Sequence, residues 1–99
     1  MRRLVYRKQA LRDLLDLLDS ITTASDAVTA ERYANNLRER LRSWATNPAM
    51  LGSLRDELAE GLRAMPYKRY VVFFRYPPGK LEVVRIVYAS RDVDSLSFD

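Results

Sequence analysis

The hydrophobic pattern of this 99-residue chain predicts a single α+β domain over residues 1–99. Its order is β-α-α-β-β-β, a two-layer sandwich with a helical hairpin packed on a small, mainly antiparallel sheet. Three observations predict it. The period of apolar residues changes from two to 3.6 at Gln9, the helical pattern breaks and resumes around Ala24, and period two returns after Gly61.

Each element follows from its residues. Arg3–Arg7 places Leu4 and Tyr6 on one side and Arg3, Val5 and Arg7 on the other, a short strand. From Gln9, Leu11, Leu14, Leu15, Leu18 and Ile21 form an apolar arc, with Arg12, Asp13, Asp16 and Asp19 opposite. That helix is expected to end in Ile21-Thr22-Thr23. Ser25 or Asp26 caps a second helix, whose buried stripe is Ala30, Tyr33, Ala34, Leu37, Leu41 and Trp44. Asn47-Pro48 ends it, because proline has no amide proton and disfavours helical geometry in its predecessor. The short connection makes the two helices an antiparallel hairpin. Residues 48–60 carry no period and are expected as a loop with one helical turn around Arg55–Glu60. Strands follow at 62–67, 69–76 and 81–88, the last two joined by the tight turn Pro77-Pro78-Gly79-Lys80. Val71, Phe73 and Arg75 alternate with Val72, Phe74 and Tyr76, so both faces of that run are largely apolar, as in a central strand. In the last run Leu81, Val83, Arg85 and Val87 alternate with Glu82, Val84, Ile86 and Tyr88.

Composition narrows the chemistry. The sequence has no cysteine and no histidine, which removes disulfides, thiolate metal sites and the commonest general base. No metal and no cofactor are expected. Charge interrupts every apolar stretch, and no signal core follows the basic N-terminus, so a cytoplasmic protein without a membrane role is expected. The net charge is +4, but from Gly61 to Arg91 seven cations stand against one anion, Glu82. Such a field suits a nucleic acid or an acidic protein, or serves as a solvated basic sheet face.

Three segments resemble the RelE/ParE toxin family. Gly61-Leu62-Arg63-Ala64-Met65-Pro66-Tyr67-Lys68-Arg69-Tyr70-Val71-Val72-Phe73-Phe74-Arg75 is similar to that family's G-L-R-S-F-P-x-G-R-Y-x-I-F-Y-R pattern. Val83-Val84-Arg85-Ile86-Val87-Tyr88-Ala89-Ser90-Arg91-Asp92 is similar to its V-x-V-x-R-V-L-H-G-x-R-D strand and exit. Pro48, followed by Leu54-Arg55-Asp56-Glu57-Leu58, resembles its linker. Two departures stand out: Tyr88-Ala89 replaces a frequent His-Gly, and Lys68 replaces a glycine. The second points to a different turn, since lysine takes positive φ less readily than glycine.

The resemblance implies a RelE/ParE-like fold and the toxin of a bacterial type II toxin–antitoxin system, ParE-like in kind. It implies a cognate antitoxin, ParD-like or similar, with an acidic toxin-binding segment. That segment would lay a helix on the helical hairpin and a strand on a sheet edge, and operator DNA would be met through the antitoxin. It implies DNA gyrase as the target, inhibited by binding and not by chemistry. Two alternatives stay open: a RelE-like ribosome-dependent mRNA endoribonuclease, and a non-toxic antitoxin-binding or co-repressor subunit. Candidate antitoxin- or target-binding residues are Arg63, Lys68, Arg69, Arg85 and Arg91. For a ribonuclease the set would be Arg63, Arg85, Tyr88 and Arg91, cations for the phosphorane and a phenol for proton transfer. Arginine itself is a poor base, and nothing in the spacing pairs Glu57 or Glu82 with Arg85 or Tyr88. The acidic tail after Arg91 is unfavourable beside an RNA backbone. Arg91 could instead pair with Asp92 or Asp94 and hold that tail. Tyr67, Tyr70, Tyr76 and Tyr88 suggest either an aromatic platform for bases or half-buried packing.

Overall fold

The computed structural model describes residues 1–98. Strand β1 (Arg3–Tyr6) leads into α1 (Lys8–Ala24) and α2 (Ala27–Thr46); β2 (Ser53–Leu54), β3 (Arg63–Tyr67), β4 (Tyr70–Arg75) and β5 (Lys80–Tyr88) complete the sheet. A short 3-10 turn, Val93–Ser95, lies in the tail. Sheet order is β1-β5-β4-β3-β2, with β1 parallel to β5 and the other pairs antiparallel. The expected meander is therefore present, with β4 central. The segment expected to be a loop adds a fifth, two-residue strand, and the expected turn follows it, the Leu58 and Ala59 amides donating to the Arg55 carbonyl at 3.0 and 3.4 Å. Gly52 permits the close approach of that strand: at φ +79° it lies against β3, and a Cβ there would fall 2.8 Å from the Ala64 carbonyl oxygen.

Asp26 is the cap of α2, its carboxylate accepting the Thr29 amide at 2.7 Å. That bond holds its carboxyl below the usual carboxylate range. The second helix ends at Thr46, just before Asn47-Pro48. Its buried face is Ala30, Leu37, Leu41, Trp44 and Ala45, with Trp44 resting 5.7 Å from the Phe74 ring centre. The first helix departs from expectation. Leu11 and Leu15 are 46% and 65% exposed, whereas Ala10, Asp13 and Leu17 are buried. The helix is rotated so that a carboxylate points inward.

The sheet has an apolar cluster on each face. Leu17, Leu37, Leu41, Trp44, Val72, Phe74, Leu81, Val83 and Ile86 pack under the helices. On the reverse, Leu62, Ala64, Phe73, Val84, Val87 and Phe98 form a second cluster, with Leu58, Val93 and Leu96 against it. The tail thus seals the face that the helices leave open, with the Phe98 ring 4.9 Å from Phe73. The β5 alternation also breaks. Phe73 pairs with Arg85 and Phe74 with Val83, leaving Val84 as a bulge. The bulge moves Arg85 off the face of Leu81 and Val83 and brings Ile86 onto it. No helix among the described residues is long and apolar enough to cross a membrane.

Candidate functional site

The cations singled out in the sequence divide into two groups. Arg85 is only 6% exposed. Its Nε donates to Asp13 Oδ2 at 2.7 Å and its Nη2 to Asp13 Oδ1 at 3.1 Å, while Nη1 donates to the Ser97 carbonyl at 3.0 Å. Strand β1 pairs with β5 only as far as Val83, so the next stretch of β5 has an open edge. Asp13 Oδ2 also accepts the Ile86 amide there at 3.0 Å. One buried carboxylate therefore joins α1, the unpaired edge of β5 and, through Arg85, the tail. The Arg85 guanidinium, named from the sequence as a contact residue, thus turns its donors inward and not to solvent. Arg63 likewise turns inward, its Nε donating to the Leu51 carbonyl at 2.8 Å. Tyr76 accepts the Leu51 amide at 3.0 Å, and Arg2 stacks over Tyr76 at 4.5 Å. These residues pin the chain entering β2.

Lys68, Arg69 and Arg91 remain exposed, at the opposite end of the sheet. Lys68 occupies the β3–β4 turn with φ 54°. The turn therefore keeps the left-handed backbone that glycine would give, contrary to the different turn expected, at a cost of about 1–2 kcal/mol. Its ammonium stands 5.1 Å from the Tyr33 ring centre and 5.6 Å from that of Tyr67, contacts that offset part of the cost. Arg91 makes no ion pair with Asp92 or Asp94; Asp92 instead caps the tail turn, accepting the Asp94 amide at 3.0 Å.

Around these cations lies a cluster of four tyrosines. Tyr33 meets Tyr67 and Tyr70 edge to face at 5.7 and 6.3 Å, and Tyr70 meets Tyr88 in the same way at 5.4 Å. Tyr76 lies apart, against Phe74. Three of the rings, Tyr33, Tyr70 and Tyr88, close one side of a cleft of about 390 Å³, whose other wall is Ile21, Ala24 and Thr29 of the helices. A smaller depression adjoins it, sharing Ser20, Tyr70 and Tyr88 and reaching Asp16 and Arg91. The Tyr33 hydroxyl is buried and has no hydrogen-bond partner among the described residues. Burial, then the neighbouring Tyr67 and Tyr70, pushes its pKa up to about 12. Burial also raises that of Tyr70. The helical spacing of Tyr33 assigns it to the core and conceals that its ring meets Lys68 of the β3–β4 turn.

The ribonuclease set does not assemble. Arg63 is level with Phe74 of β4, and Tyr88 with Tyr70, four residues further along the same strand. That separates them by about 13 Å along the sheet. Arg85 is locked to Asp13 between those levels. Glu57 bonds Arg55 at 2.6 Å and Glu82 lies 3.8 Å from Arg7. Among the described residues no cluster of carboxylates suits a metal ion.

The profile described as the ParE toxin of type II toxin–antitoxin systems, parDE, matches residues 4–93. The chain belongs to the ParE toxin family. Among solved structures, a chain described as the chromosomal ParDE TA system from P. aeruginosa superposes with a TM-score of 0.75 at 17% identity. The match covers 89% of this chain and 96% of that one, and it shows a shared fold. No curated protein matches the sequence. The ParE-family toxin thus keeps the RelE/ParE-like architecture, with Arg85 and Arg63 spent on internal contacts and Lys68, Arg69 and Arg91 left at a tyrosine-lined cleft.

Proposed function

We propose that this ParE-family toxin arrests growth by binding DNA gyrase, without catalysing a reaction, and that an antitoxin with an acidic segment neutralises it. The observation that carries the non-catalytic reading is the Asp13–Arg85 pair. It buries the cation best placed on β5 to stabilise a phosphorane. Leu11 and Leu15, one helical turn apart on the outer face of α1, supply apolar anchors for an antitoxin helix. The exposed Lys68, Arg69 and Arg91 favour encounter with an acidic chain.

The test uses purified toxin in two parallel reactions: gyrase supercoiling of plasmid DNA, and primer extension on messenger RNA in a translating extract. Loss of supercoiling or accumulation of cleaved DNA, with the message intact, is expected. Toxin-dependent cuts in the message that vanish in Tyr88→Phe would place the protein among the ribonucleases. Silence in both, with antitoxin binding retained, would leave a non-toxic co-repressor role.

A further inference from the structure

The tyrosine cleft has the properties of a peptide-anchor site, and three independent features define its occupant. Its walls are chiefly apolar: Ile21 and Ala24 from the helices face the rings of Tyr33, Tyr70 and Tyr88. At about 390 Å³ it is near the small end of the roughly 300–1,000 Å³ typical of ligand sites, the scale of one large side chain with its flanking backbone. Next, its open side carries Lys68 and Arg69, with Arg91 beside the adjoining depression. Finally, the Tyr33 hydroxyl is a buried donor without an acceptor among the described residues. Lys68, whose ammonium lies over that ring, is a long flexible side chain able to swing aside for an incoming carbonyl.

We propose that this cleft seats one large apolar side chain of a partner peptide. Carboxylates beside it would pair with Lys68 and Arg69, and a peptide carbonyl would accept the Tyr33 hydroxyl. The inference rests on the proposed neutralisation by an acidic antitoxin and assigns that peptide to the antitoxin. It is a second foothold, distinct from the outer face of α1 that carries Leu11 and Leu15. A single-stranded nucleic acid fits less well. Asp16 lines the adjoining depression, where a run of phosphates would meet it. The three tyrosine pairs also meet edge to face, at 83°, 71° and 83°, so the rings form no flat platform for successive bases.

The probes are acetyl-Glu-Glu-Phe-Glu-Glu-amide, its glycine-centred and lysine-flanked counterparts, and a uridine dodecamer, each titrated into the nitrogen-15-labelled toxin. Only the first is expected to shift the amides of Tyr33, Lys68, Tyr70 and Tyr88. Combined Lys68→Glu and Arg69→Glu should weaken it about tenfold or more. Tyr33→Phe should weaken it about fivefold while leaving the melting temperature no lower, so lost binding is separated from lost folding. No shift with the acidic peptide, or equal shifts with all three peptides, would overturn the proposal. So would shifts at these amides from the dodecamer alone, which would make the cleft a nucleic-acid site. The protein encoded beside the toxin gene is then titrated against unaltered toxin and the Lys68→Glu/Arg69→Glu variant. Weaker binding to the variant supports the assignment, and equal affinity for both overturns it while leaving neutralisation intact. Binding to neither removes the antitoxin reading itself, and with it the identity given to the peptide.

Discussion

At the scale of residues, the decisive side chain is Asp13. Read by helical period it belongs to a charged outer arc, yet it is 8% exposed and accepts from both Arg85 and the Ile86 amide. A buried ion pair is a weak source of net stability, because desolvating two charges offsets their attraction. Breaking one is different, since the remaining charge stays buried. Asp13→Ala should therefore lower unfolding free energy by about 3–5 kcal/mol in urea denaturation. Replacing Asp13 and Arg85 together by leucine and methionine should recover much of that loss. Equal loss in the single and double variants would show that the pair itself is not the source. Tyr33 gives the opposite case. Its hydroxyl has no hydrogen-bond partner among the described residues, so Tyr33→Phe should be neutral or stabilising, by up to about 1 kcal/mol in thermal denaturation. The sign with pH follows from the raised pKa. Between about 10 and about 12 the unfolded phenol loses its proton before the folded one. Stability is thus complete below the lower value and falls as pH rises through the window. Spectrophotometric titration should show a tyrosine ionising near the upper value that disappears in Tyr33→Phe.

At the scale of elements, two local irregularities decide what faces what. The rotation of α1 exposes Leu11 and Leu15, and the bulge at Val84 switches the faces of β5 beyond it. Helical period was legible in the sequence, but five leucines and isoleucines spread over an arc do not say which edge of the arc points inward. The inward edge is set by the bonds that Asp13 makes with a strand more than seventy residues away. Strand alternation was legible too, except across the bulge, which depends on pairing with β4. The tail is the other element hidden from pattern reading. The sequence marks it by its charge, but its apolar Val93, Leu96 and Phe98 cover the sheet. Phe98→Ala should cost about 3–5 kcal/mol in unfolding free energy and expose Phe73, read out as increased binding of a hydrophobic dye. An unchanged denaturation midpoint would mean that the tail only rests on the sheet.

At the scale of the whole molecule, the basic C-terminal half is not a uniform field. Arg63 and Arg85 turn inward, while Lys68, Arg69 and Arg91 remain in solvent at one end of the sheet. Charge reversal at Arg69 and Arg91 should slow antitoxin association strongly in low salt and little in high salt, measured by stopped flow. Reversal at Arg85 should instead destabilise the fold, because two carboxylates would then share a buried site. An identical salt dependence for the Arg69 and Arg91 variants would remove these cations from the encounter.

The sequence by itself determined the succession of strand, hairpin and meander, the end of α2 at Pro48, and the family. Periodicity, turn chemistry and motif order are local properties that survive without coordinates. Only the tertiary structure decided which arginines are free. Arg63 and Arg85 look the same as Arg69 and Arg91 in a list of cations, and their acceptors, the Leu51 carbonyl and Asp13, come from distant segments. It likewise brought Tyr33 of a helix beside Tyr67, Tyr70 and Tyr88 of three strand ends, because a cleft is made by packing, and packing joins residues that the chain keeps apart.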